Sequence, residues 1–248
     1  MSPGRVFVLI HSPLVGPSTW TQVAEEMQAR GLAVLVPKLQ DSSLSTDLFW
    51  RQHAESVARE INEIPQDTGL ILIAHSGAGP LLPAIGGSVL HPVRAYVFVD
   101  AGIPRDGASR LDLMRSEDPE WAAQFQKQLE RGERFPTWSF EDLRDVIPDL
   151  ASRKQTVAEL RPRRLDFFIE PIPVFEGWPD APCVYIQFSV PYKKAAQQAR
   201  KKGWIVEEIE AGHFHMLVDP STVTAMIVEA VSKSQVQLWS QPACWRIR

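Results

Sequence analysis

The sequence predicts an α/β chain built on an open, mainly parallel sheet of about six strands, with helices on both faces and a helical insertion after the fourth strand. Three observations carry that prediction. Short apolar, β-branched runs alternate with segments of helical periodicity over the first hundred residues, and again from Cys183 onward. The first of these runs, Val6 to Ile10, is apolar throughout, as suits a strand buried on both faces of a parallel sheet. From Ile103 to about Asp180 the alternation stops, and proline-interrupted helical stretches replace it.

Val6 to Ile10 is an all-apolar run bounded by turn residues, which suits a buried strand. In the next segment Trp20, Val23, Ala24 and Met27 share one helical face, and Gly31 ends it. Leu32 to Val36 is a second strand stopped by Pro37, and Ala54, Val57, Ile61 and Ile64 form the stripe of a second helix. Gly69 to Ile73 and Val93 to Val99 are the third and fourth strands. Alternation of this kind implies right-handed crossovers and a parallel sheet. The helical stretches of the insertion, residues 103–180, carry Trp121, Phe125, Trp138, Phe140, Phe167 and Phe168. Cys183 to Phe188 is the fifth strand, a helix bearing Tyr192, Ala195, Ala196 and Ala199 follows, and Trp204 to Ile209 is the sixth. The last helix carries Val223, Met226, Ile227, Ala230 and Val231, while the tail from Gln237 to Arg248 has two tryptophans but no clear period. Residues 1–102 and 181–248 therefore form the core around the insertion.

Composition excludes several function classes. With 248 residues the chain can bury a sizeable core without disulfides. Its 44% hydrophobic and 23% charged residues are those of a folded domain, and a net charge of −4 leaves no electrostatic footprint for nucleic acid. Cys183 and Cys244 alone make neither a disulfide framework nor a zinc site. The longest apolar runs are strand-sized, and the first residues lack a signal-peptide pattern. The expectation is a soluble cytoplasmic protein with a small-molecule substrate, no cofactor or metal, no nucleic-acid partner and no membrane span. A homodimer is compatible with it.

The third strand ends in Ala74-His75-Ser76-Gly77-Ala78, directly before a helix-compatible segment. A small-x-Ser-x-small pattern between strand and helix is the nucleophile elbow. The turn is sharp, so its flanking residues must be small, and it lifts the hydroxyl to a helix N-terminus where a developing anion is favoured. Composition alone yields such a pattern about once in a chain of this length, so its placement after a buried strand supplies the specificity. The plainer alternative is a serine capping a helix. Gly212-His213-Phe214 lies just after the last strand and would face the same sheet edge, although a lone histidine is often structural. His215, two residues beyond His213, is expected to support or line the pocket.

At these residues the chain resembles the α/β-hydrolase superfamily, through Val6 to Ser12, the Ser76 elbow, the insertion and Gly212-His213-Phe214. It is most similar to the small esterase and hydroxynitrile-lyase-type members. The resemblance implies Ser76 as nucleophile, His213 as its base, and the insertion as a cap over the strand ends. Two departures from the family stand out. Members usually carry an Asp just after the penultimate strand, where this chain reads Phe188-Ser189-Val190-Pro191-Tyr192. The substitute is Asp100, at the end of the fourth strand, a location some members use; its plainer role is to cap a turn. Asp180 and Asp219 are poorer candidates, one preceding its strand and the other beginning a helix.

The second departure concerns the oxyanion hole, where Gly77 N–H is one expected donor. The aligned second donor falls on Pro13 in His11-Ser12-Pro13-Leu14-Val15-Gly16, and proline has no N–H. The Ser12 hydroxyl, or a shifted Leu14 N–H, is the expected compensation. In the insertion most aromatics should form local core and a few should line an apolar pocket. Arg161-Pro-Arg-Arg164, in a segment with more acids than bases, is expected to be a solvated face. The resulting functional expectation is a cofactor-free serine hydrolase acting on an ester or thioester of a small apolar acyl group. The alternatives are a hydroxynitrile-lyase-type lyase, towards which Ser12 leans, and a ligand-binding protein with a retained triad.

Overall fold

The apolar runs become six strands: β1 (Arg5–Ile10), β2 (Ala33–Leu35), β3 (Gly69–His75), β4 (Val93–Val99), β5 (Cys183–Gln187) and β6 (Ile205–Glu208). They are seen in a computed structural model that describes residues 4–42 and 44–240. All pair in parallel, in the order β2-β1-β3-β4-β5-β6. Nine helices are described: α1 (Thr21–Ala29), α2 (Phe49–Ile61), α3 (Leu82–Gly86), α4 (Arg110–Glu117), α5 (Pro119–Glu130), α6 (Leu150–Ala158), α7 (Leu165–Ile169), α8 (Lys193–Lys201) and α9 (Pro220–Ser240).

The period-2 geometry of a strand divides the core in two. Leu9, Ile71, Ile73, Val97 and Val99 face the layer of α1 and α9. Val8, Ile10, Leu70, Leu72, Tyr96 and Phe98 face the layer of α2, α3 and α8. Both faces are covered over the central strands, which explains why those read as largely apolar runs. The chain leaves β1 for β2 on one side and β3 for β4 on the other. The topological switch point therefore lies between β1 and β3, and a crevice opens there at the carboxyl ends of the strands.

Between β4 and β5 stand α4 to α7. Their starts are written locally: Ser109 and Asp112 form a capping box, Asp118 caps α5 with Pro119 in its first turn, and Asp149 caps α6. Leu111, Phe125, Phe167 and Phe168 form a small core that reaches Leu14 of the loop after β1. Two ion pairs fix the segment to the rest of the chain. Arg110 meets Glu170 at 2.7 Å with both side chains buried, and Glu170 also accepts from Trp50 N–H of α2. Arg163 grips Asp41 through both terminal nitrogens, at 2.6 and 2.7 Å.

Several sequence expectations shift. Arg161 to Arg164 is not a solvated face: Arg163 is half-buried on Asp41, and Arg161 approaches the same carboxylate at 3.5 Å. Trp20 belongs to a 3-10 turn (Pro17–Trp20) that precedes α1. Ile64 lies beyond α2 because Pro65 disfavours helical geometry in the residue before it. Tyr192 ends a separate 3-10 turn (Val190–Tyr192) instead of joining α8. The tail begins as a continuation of α9 to Ser240; Cys244 and the rest of the tail lie outside the described residues. Among the described residues, no helix is long and apolar enough to cross a membrane.

Two buried histidines make stability depend on pH. His11 donates from Nδ1 to Ser12 O at 2.8 Å and accepts at Nε2 from Leu39 N–H at 3.2 Å. His53 donates from Nε2 to Asp41 Oδ1 at 3.1 Å. Burial lowers each pKa from 6.5 to about 4. Their stabilising contribution is thus complete above pH 6.5, where both states are neutral. As pH falls from there toward 4, the unfolded chain binds protons that the folded one refuses, and stability is lost. The melting temperature should fall across that window, and His53→Gln should flatten the decline by about one proton. A melting temperature independent of pH over the same window would contradict this account.

Candidate functional site

Ser76 sits where β3 ends and the chain turns into a 3-10 segment (Ser76–Leu81) leading to α3. Its φ of +56° is left-handed, a conformation that costs a non-glycine residue about 1–2 kcal/mol. The surrounding small residues make the turn feasible. A Cβ at Gly79 would lie 2.3 Å from Gly102 O, so only glycine fits against the backbone leaving β4. A Cβ at Gly77 would lie 3.3 Å from Ser12 Oγ, which places Ser12 beside the backbone that follows Ser76.

His213, in the loop between β6 and α9, approaches Ser76 Oγ with Nε2 at 3.0 Å. Its Nδ1 lies 2.7 Å from Asp100 Oδ2. Hydrogen-bonding to that carboxylate puts the ring proton on Nδ1 and leaves the Nε2 lone pair facing the serine. Asp100 directly follows β4, is fully buried and also has a left-handed φ, +44°. Its Oδ1 accepts from Phe188 N–H and Ser189 N–H at 2.9 and 3.0 Å, and Oδ2 accepts from Ser189 Oγ at 2.5 Å. The segment after β5, which lacks a carboxylate of its own, thus supplies the donors that hold one. His75 braces His213 from behind: its ring lies 4.4 Å from that of His213, and its Nε2 donates to His213 O at 3.0 Å. Burial first, and the neighbouring His213 second, hold the His75 pKa well below its ordinary value.

Tyr192 joins this group, where sequence periodicity had set it on a helix face. Its hydroxyl lies 3.3 Å from Ser76 Oγ, and its ring stacks on His213 at 5.1 Å with an interplanar angle of 5°. Burial pushes its phenol above the ordinary tyrosine range. Pro191 was the available signal, since a proline at that point marks the first turn of a new helix and separates Tyr192 from the strand. Ser189 carried no such signal in the sequence.

The loop after β1 is held on both sides. Arg161 N–H donates to Leu14 O at 3.0 Å, and Arg163 Nη2 donates to Pro13 O at 3.4 Å. Leu14 N–H points at Ser12 Oγ, 3.4 Å away, so it polarises the hydroxyl instead of facing the crevice alone. The other candidates have different tasks. Asp180 accepts from Tyr96 OH at 2.8 Å, and Asp219 caps α9 through Thr222 N–H at 3.0 Å. His215 packs edge-on against Phe188 and does not line the cavity. That cavity, about 1540 Å³, opens over Ser76 and His213 and is walled by Leu14, Ile103, Phe135, Trp138 and Phe168. Among the described residues, no group of three or more His, Cys, Asp or Glu is arranged to hold a metal ion.

Solved structures with this architecture are numerous, although no curated protein matches the sequence. An extracellular alpha/beta-hydrolase from a Paenibacillus species superposes with a TM-score of 0.72 at 20% identity, over 91% of this chain and 98% of that one. Polyneuridine aldehyde esterase gives 0.67 at 18% identity, over 91% and 98%. A tomato methylketone synthase I variant complexed with β-ketoheptanoate gives 0.69 at 16% identity, over 93% and 99%. At such identities the likeness is one of fold. The sequence itself matches the model of the alpha/beta hydrolase family over residues 7–226, nearly the whole of the sheet and the insertion, and the chain belongs to that family.

Proposed function

We propose that this chain is a cofactor-free serine hydrolase that cleaves an ester or thioester of a small, apolar acyl group. Ser76 is the nucleophile, His213 its base and Asp100 the acid that orients the base. The observation that carries this is the unbroken sequence of contacts from Ser76 Oγ to His213 Nε2, 3.0 Å, and from His213 Nδ1 to Asp100, 2.7 Å, at the mouth of an apolar cavity. Ser76 Oγ attacks the carbonyl carbon and His213 takes its proton. The oxyanion is held by Gly77 N–H and the Ser12 hydroxyl, and water then releases the acyl group. The insertion acts as a cap, and its aromatic wall keeps water from the reacting atoms. A cavity of about 1540 Å³ leaves room for a bulky apolar group on one side of the scissile bond. The cytoplasm remains the proposed location.

A lyase on the same fold is the second reading, favoured by the Ser12 hydroxyl beside Gly77. A serine-directed phosphonate with intact-mass readout, followed by p-nitrophenyl ester turnover, separates the two. Labelling with turnover supports the hydrolase; labelling without turnover supports the lyase or a binding protein. Ser76→Ala should abolish both labelling and turnover while leaving the melting temperature unchanged. Turnover within a few-fold of wild type in that variant would sink every enzymatic reading.

Asp100→Asn tests the acid. Its amide oxygen can keep the two backbone donors, Phe188 and Ser189 N–H, only by turning NH₂ toward Ser189 Oγ and His213 Nδ1. His213 must then accept at Nδ1, which moves its proton to Nε2 and blocks the serine. A loss of up to about 10⁴ in kcat is expected by analogy with the best-studied triad, and near-full activity would remove Asp100 from the mechanism.

Ser12→Ala should lower kcat more than it raises KM, by about 2–4 kcal/mol of transition-state stabilisation, because the interaction strengthens as the carbonyl oxygen gains charge. An unchanged kcat would transfer the donor role to Leu14 N–H.

A further inference from the structure

Tyr192 has no structural task that explains its position. It belongs to neither of the two sheet-packing clusters, and its ring lies on the wall of the cavity. Its hydroxyl partner is Ser76 Oγ at 3.3 Å, and its ring partner is the imidazole of His213, face to face. Ser76 must give its own proton to His213 Nε2, so in the contact between the two hydroxyls the serine accepts and the tyrosine donates.

Position decides what that donor serves. Ser12 and Gly77 approach Ser76 from the β1 side, whereas Tyr192 arrives from the β5 side, stacked on the base. The flank shared with His213 is the one from which a proton must reach the departing oxygen. We propose that Tyr192 is a further catalytic residue, which donates a hydrogen bond to the leaving-group oxygen as the tetrahedral adduct collapses. This assignment rests on the serine-hydrolase reading of the site.

In the attack, the Oγ–carbon bond forms and the Ser76 proton passes to His213 Nε2. Oγ, now an ester-like oxygen, becomes a poor acceptor and frees the Tyr192 O–H. On collapse the carbon–oxygen bond to the alcohol breaks and its electron pair stays on the departing oxygen. The proton held by His213 is delivered there. Tyr192 keeps its own proton throughout and supplies only the hydrogen bond. Its burial, which raises the phenol pKa, keeps it a donor across the working pH range.

The consequence is a dependence on leaving group that a structural role would not produce. Tyr192→Phe keeps the stacked ring and removes the hydroxyl, so the variant should melt as wild type does and still be labelled at Ser76 by the phosphonate. Its kcat on an alkyl ester, whose alkoxide needs help to leave, should fall on the order of 10², while kcat on the matching p-nitrophenyl ester stays within about threefold. KM should move little for either. Equal losses on the two esters, or no loss on either, would overturn the role of Tyr192 while labelled, active wild type leaves the hydrolase reading standing. A wild type that turns over neither ester would overturn both.

Discussion

The site depends on one buried carboxylate. Asp100 has no solvent exposure, and its two oxygens accept from Phe188 N–H, Ser189 N–H, Ser189 Oγ and His213 Nδ1. A buried carboxylate is costly unless its lone pairs are filled, and here four donors fill them. Those donors come from the segment after β5 and the loop after β6, while the acid itself follows β4. Satisfying this one group therefore draws three neighbouring strand ends together. The imidazole reaches the end of β3 as a consequence, and Ser76 Oγ is the atom it meets there.

Strain is concentrated at the same edge. Ser76 and Asp100 follow adjacent strands, and both have left-handed backbone conformations. Aspartate tolerates this region better than most residues, but serine does not favour it. Each conformation costs about 1–2 kcal/mol, which the fully buried strands beneath can offset. The two strained residues thus lie at the carboxyl edge of a sheet whose central strands are largely buried, beside the switch between β1 and β3.

The insertion is positioned by charge as much as by packing. Arg163 spans Asp41 and Pro13 O, and Arg161 contributes its backbone N–H to Leu14 O. The loop that carries Ser12 is thereby clamped from above as well as by His11 below. Arg110 and Glu170 form a second anchor, with the Arg110 guanidinium 4.0 Å over the Phe167 ring. Burial lowers the pKa of the arginine and raises that of the glutamate, so the pair fixes geometry at an electrostatic cost. The apolar cavity over Ser76 is the space these anchors leave between the insertion and the sheet.

The sequence by itself determined the elements and their order. The central strands are buried and largely apolar, so they were legible as runs, and the strand–helix alternation marked the two edge strands. Small residues around Ser76 and the position of His213 after the last strand are local properties, and they marked the candidate site. Asp100 was legible through the family resemblance, which offers the end of the fourth strand as an alternative place for the acid where, as here, no carboxylate follows Phe188. What the sequence left open depends on groups distant in the chain meeting in space. Ser189 supports Asp100 across 89 residues, Arg163 reaches Asp41 across 122, and Tyr192 reaches Ser76 across 116. Periodicity records which face of an element is buried and carries no information about such partners. It therefore set Tyr192 among the alanines of α8, while the excess of acids over bases in the insertion read Arg163 as solvated. Only the tertiary structure, by bringing separate strand ends to one edge, gave those polar side chains their partners.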